Sequence, residues 1–135
     1  MSGARTAAII VARLIFAGVF LMAAAFKFKF VGMDATAVEI AKAGFPVPLL
    51  LAWVAAFFEV GLGLAFLSGL YFSEAAAVAA AYVLFLAFSF HGPDRFASNP
   101  MEFGFFVDHF TFIAGLLFAA VHGPGNAMVL RRRTI

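Results

Sequence analysis

Four apolar stretches, each near the length of a helix that crosses a bilayer, run through this chain and leave room for little else. They cover about residues 6–26, 47–67, 75–90 and 103–121. A span needs about 20 residues, within a range of roughly 17–25. The third stretch is short and gains Phe72 and Ser73 if its helix starts early. In hydrocarbon the backbone must satisfy its own hydrogen bonds, which restricts spanning segments to helices and closed barrels. Barrel strands alternate in polarity, and these runs do not. The sequence therefore predicts an all-α membrane protein: a four-transmembrane-helix bundle forming one domain over residues 1–135. Composition agrees. Hydrophobic residues make up 65% of the 135, against about 45–50% in soluble domains, and a soluble chain this short buries too small a share of its surface to hide them.

Turn residues punctuate the same boundaries. Pro46 and Pro48 precede the second span, and a proline in a first turn forfeits no hydrogen bond. Gly69 follows that span as a stop. Ser73 before Glu74 reads as the N-cap of the third. Gly92-Pro93 closes it, Pro100 precedes the fourth, and Gly123-Pro124-Gly125 ends that one. Between spans one and two, Asp34 to Ala43 reads as a short interfacial helix. Ala37, Val38 and Ala41 share its apolar face, with Glu39 and Lys42 outward.

An even number of spans puts both termini on one side. Arg5 and the run Arg131-Arg132-Arg133 mark that side as cytoplasmic, with Arg13 just inside the membrane. The triple arginine reads as a topology signal or an anchor to anionic lipid. Lys27, Lys29, Lys42 and Arg95 fall opposite. Arg5, the apolar run and Ala23-Ala24-Ala25 imitate a signal peptide, but the run is long and Arg13 interrupts it. A net charge of +2 without a basic patch gives no reason to expect nucleic acid. The chain has no Cys, so disulfides, thiolate catalysis and Cys-ligated metals are excluded.

Charges within spans are costly and mark functional sites by default. Arg13 and Lys27 are fourteen residues apart, within about 40° on one helix face. Ala17, Phe20 and Ala24 continue that stripe, which should face inward. Glu59 shares a face with Ala52, Ala55, Ala56 and Gly63, small residues that mark helix–helix contact. Asp108, Gly115 and His122 form a stripe on the fourth span, with Thr111 beside it. From depths of about 9 and 13 Å at 1.5 Å per residue, the expected pair is Arg13 with Glu59, and Arg13 and Lys27 are the structural intramembrane charges. Asp108 is then the candidate partner of Lys27, and Lys29 snorkels to the headgroups. His91 ends span three and His109 lies one to two turns into span four. Two histidines on facing helices can ligate haem, and histidine with carboxylates a metal. No ligand-spacing motif supports either, so no metal is assigned.

The chain resembles the DoxX/DoxD-like family of small bacterial membrane proteins. The resemblance rests on Arg13, Phe20-Leu21 and Lys27-Phe28 in span one and on Gly44-Phe45-Pro46 before span two. It continues through Glu59-Val60-Gly61-Leu62-Gly63, then Gly69, His91, Gly115-Leu116-Leu117 and Gly123-Pro124-Gly125. It implies a four-helix bundle in the bacterial cytoplasmic membrane and a link to redox systems. Some relatives are subunits of thiosulfate:quinone oxidoreductase, and others associate with oxidative-stress enzymes. Where the family leads us to expect Lys-Asn early in span four, this chain has Asp108-His109, which reverses a charge there.

These readings give a redox-associated membrane subunit. Glu59, His91, Asp108 and His109 are its candidates for ligand binding or proton relay around one polar cavity. Quinone is the candidate cofactor, and a redox protein or a second copy is the candidate partner besides lipid. Nothing in the chain carries electrons, so it is not expected to catalyse alone. The rival readings are a non-enzymatic scaffold or assembly factor and a small oligomeric transporter.

Overall fold

The computed structural model describes residues 2–130, so the Arg131-Arg132-Arg133 run lies outside the described residues. The described chain is helical, with no strand. Helix α1 spans Gly3–Ala25 and continues as a π-helical segment, Phe26–Phe30. Helix α2 is Met33–Lys42, α3 Pro48–Ser68, α4 Phe72–His91 and α5 Met101–His122. A 3-10 turn at Pro93–Arg95 follows α4. Four helical stretches, Gly3–Phe30, Pro48–Ser68, Phe72–Arg95 and Met101–His122, are long and apolar enough to cross a membrane. The third reaches back to Phe72, which supplies the length its apolar run lacked.

The expected stops hold. Pro48 opens α3, and Gly69 closes it at φ 75°, a left-handed conformation that glycine adopts without a Cβ penalty. Gly92 and Gly123 close α4 and α5. Ser73 is not the cap of α4: the helix begins one residue earlier, and its N-cap is Tyr71, left-handed at φ 52° and without a side-chain cap.

The chain forms two compact units. In the first, running through Leu70 and resumed from Pro124, α1 packs on α3 and α2 packs on α3. The buried residues of α1 are Arg13, Ala17, Phe20 and Ala24, the stripe its sequence predicts. Those of α3 are Ala52, Ala56, Glu59, Leu62, Gly63 and Phe66. The helices approach closely at Gly63, where an added Cβ would lie 2.5 Å from the Leu21 side chain. Helix α2 buries Ala37 and Ile40, while Val38 and Ala41 are exposed. Its inner face is therefore rotated from the expected Ala37-Val38-Ala41 face. Glu39 and Lys42 point outward and pair with each other at 2.7 Å.

In the second unit, Tyr71–Gly123, α4 packs on α5. Phe88 meets Phe106 and Phe110 edge-on, at centroid distances of 5.1 and 6.3 Å. On α5 only Leu116 is fully buried. Of the Asp108-Gly115-His122 stripe, Asp108 and His122 are exposed and Gly115 is half-buried, and Thr111 beside it is exposed, so the structure leaves most of that face of α5 open.

Candidate functional site

The first unit buries two charges, Arg13 and Glu59, and they do not meet. Glu59 receives Lys27: the ammonium donates to both carboxylate oxygens at 2.8 Å and to the Ala23 carbonyl at 3.5 Å. The Glu59 side chain is 3% exposed and that of Lys27 21%. This arrangement is one ion pair with the acid sealed inside and an edge of the cation accessible.

Arg13 instead caps the end of α3. Its guanidinium donates to the carbonyls of Phe66 (3.1 Å) and Leu67 (2.7 Å), and to those of Ala127 (2.8 Å) and Met128 (2.9 Å) in the returning segment. The last four carbonyls of a helix lack intrahelical donors. Here all are served, since Gly69 N–H donates to Ala65 and Leu130 N–H to Ser68, both at 2.9 Å. In a bilayer an unmet carbonyl costs several kcal/mol, so a forked cation at a helix end is favourable without any acid.

The expected Arg13–Glu59 pair fails because of side-chain direction. Helical side chains lean toward the helix start and cover the preceding turn. The Arg13 head therefore hangs back toward the N-terminal end of α1, at the level of Phe66 and Leu67. These are seven and eight residues beyond Glu59, or about 10–12 Å along α3 at 1.5 Å per residue. Lys27 leans the same way, and its amine reaches the level of Ala23, next to Glu59. Lys27 thus has its counter-charge in Glu59 rather than Asp108.

Lys27 sits in the π-helical segment, where Val31 and Gly32 N–H both donate to the Phe26 carbonyl, at 2.8 and 3.3 Å. Such π turns within helices recur at functional sites. Beside Lys27 in sequence, Phe28 joins Trp53 and Phe57 in an aromatic group with centroids 5.5–6.1 Å apart. These rings are 40–63% exposed.

The second unit holds a separate polar cluster. His91 Nδ1 lies 2.5 Å from Glu102 Oε2. The His91 and His109 rings lie 5.2 Å apart, and His109 Nδ1 is 2.7 Å from the Phe105 carbonyl. Glu102 is the residue the sequence reading missed. It stands in the first turn of α5, where an acid is ordinary helix chemistry, and only the approach of α4 to α5 makes it a histidine partner. Asp108 is exposed, and no hydrogen bond or ion pair to it is found among the described residues. The structure thus brings His91 and His109 together and seats Glu59 with Lys27 in the other unit.

These features define a multi-pass membrane protein with a buried acid–base pair joining two of its apolar helical stretches. The chain belongs to the DoxX family, whose model matches residues 8–92. That match holds Arg13, Lys27, Glu59 and His91, and ends before Glu102, Asp108 and His109. No curated protein and no solved structure matches the chain.

Proposed function

We propose that this DoxX-family chain is a membrane subunit of a redox system, working with a partner protein. We place it in the bacterial cytoplasmic membrane with both termini on the cytoplasmic side. Its ligand is a quinone or a small sulfur compound. The observation that carries this reading is the Lys27–Glu59 pair. A buried carboxylate fixes the ammonium, and the accessible edge of that ammonium offers N–H donors to a carbonyl or oxyanion. The exposed rings of Phe28, next to Lys27 in sequence, and of Trp53 and Phe57 supply an aromatic surface on which a quinone head can pack.

A bound quinone would supply the acceptor of electrons. This chain's residues would do the rest: Lys27 orients the oxygen, and Glu59 balances the charge and exchanges a proton with Lys27. With no Cys in the chain, the electrons come from the partner. A scaffold reading draws on Arg13, whose hydrogen bonds all go to main-chain carbonyls and serve the fold.

The test is the full chain in lipid nanodiscs loaded with ubiquinone or menaquinone and examined by absorbance and mass spectrometry. Retention of about one quinone per chain, lost in Lys27→Met while the protein stays folded, supports the proposal. A folded wild-type chain that retains no quinone and binds no thiosulfate removes it.

A further inference from the structure

The His91–His109 cluster does not depend on the Lys27–Glu59 reading, and its chemistry differs. The Phe105 carbonyl can only accept, so His109 Nδ1 carries the proton of that 2.7 Å bond. A carboxylate at Glu102 accepts from His91 Nδ1 in the same way. In each neutral ring the remaining nitrogen, Nε2, then holds a lone pair, and neither Nε2 has a hydrogen-bond partner among the described residues. The side chain of His91 is 29% exposed, so solutes reach it. Metal-bound histidines are held in this way, with the far N–H tied to a carboxylate or a backbone carbonyl that fixes the tautomer and orients the ring. This pair has one of each.

The ring spacing fits the same purpose. An imidazole bound through Nε2 at about 2.0–2.1 Å places its centroid about 3.2 Å from the ion, so two rings at a tetrahedral angle stand about 5.2 Å apart. The observed separation is 5.2 Å, with the planes inclined at 44°. Helix geometry sustains the arrangement. Glu102 and His109 are seven residues apart on α5, within about 20° of one stripe, and His91 ends α4 opposite them.

We propose that His91 and His109 form a binding site for a divalent late first-row transition ion, zinc or copper, with Glu102 positioning His91. Imidazole nitrogens suit these ions. Among the described residues no group of three or more His, Cys, Asp or Glu is placed to hold a metal. The protein therefore contributes two nitrogens, and the other coordination positions stay open to water or an added ligand. Glu102 brings one negative charge against the ion's two.

The experiment uses the full chain in nanodiscs, titrated with Zn2+ against a competing chelator and with Cu2+ followed by electron paramagnetic resonance. One ion per chain is expected, with coupling from two imidazole nitrogens in the Cu2+ spectrum. His91→Ala and His109→Ala should each weaken binding at least about tenfold, and Glu102→Gln by about 10–100-fold. His122→Ala should change it less than about twofold. Because a histidine variant can misfold, His109→Cys supplies a second arm. In a chain without other thiols it should restore zinc binding. Stoichiometric binding that persists in the His91→Ala/His109→Ala double variant overturns the site. So does a folded wild-type chain that binds no zinc at 100-fold excess over protein.

Discussion

Lys27→Met keeps the length and apolar stem of the side chain and removes its cation. Glu59 would then remain in a site where its side chain is 3% exposed, without the two 2.8 Å bonds it accepts now. Removing one partner of a buried pair costs about 3–5 kcal/mol. The reverse change, Glu59→Gln, should cost less. Lys27 is 21% exposed, near one end of its long helix, and its stem lets the ammonium reach the headgroups. The loss is then a charge-assisted hydrogen bond, about 1.5–3 kcal/mol. The double variant Lys27→Met/Glu59→Gln leaves no stranded charge, so its cost should fall below the sum of the single costs by about 1–3 kcal/mol. Equilibrium unfolding in mixed micelles, followed by far-UV circular dichroism, measures all four corners of this cycle. Two results would refute the reasoning: strictly additive single costs, or Glu59→Gln costing more than Lys27→Met.

Arg13→Ala strips donors from four carbonyls and should cost about 3 kcal/mol or more in the same unfolding assay. Arg13→Lys should recover less than half of that, since an ammonium lacks the guanidinium fork. Gly63→Ala forces its Cβ against Leu21 and should cost about 1–3 kcal/mol as an overpacked contact; in a Leu21→Ala background the penalty should shrink. For topology, reporters fused at residues 1 and 135 should both read cytoplasmic and a tag near Ser98 external. Opposite sides for the two ends would end the four-span assignment.

The elements that local chemistry dictates were legible in the sequence. The buried stripe Arg13-Ala17-Phe20-Ala24, the small-residue face of α3 and the glycine stops all follow from helical periodicity and backbone freedom, which need no knowledge of a partner. The polar pairings were legible only in part, because they depend on where a long side chain ends rather than where its Cα sits. Glu59 was correctly read as inward, but choosing between Arg13 and Lys27 required the lean of both side chains toward the start of α1. The role of Arg13 lay further out of reach. Two of its acceptors, Ala127 and Met128, follow it by 114 and 115 residues, and no periodicity in α1 announces a chain that returns after α5.

Helix α5 marks where polarity stops being a guide. In water, an apolar stripe identifies the inner face of a helix because the outer face must be solvated. In lipid both faces are apolar, and association rests on close packing instead. Phe103, Phe105, Val107, Phe110, Leu117, Phe118 and Val121 are all at least 40% exposed, as lipid permits, so the Phe-rich sequence of α5 carries no inside–outside contrast. A bilayer penalises Asp108 and Thr111 on its lipid side, yet the structure leaves both exposed. Alanine was the sounder marker. Ala52 and Ala56 on α3, and Ala76, Ala79, Ala80 and Ala87 on α4, are all at most 5% exposed. A small side chain facing lipid gains little, whereas between helices it lets backbones approach and brings dispersion contacts from both sides. The same reasoning separates the two polar clusters. Lys27 and Glu59 sit where close packing of α1 on α3 fixes them, and that region was readable. His91, Glu102 and His109 meet at the end of a helix pair whose packing face was not, so their chemistry emerged only with the fold.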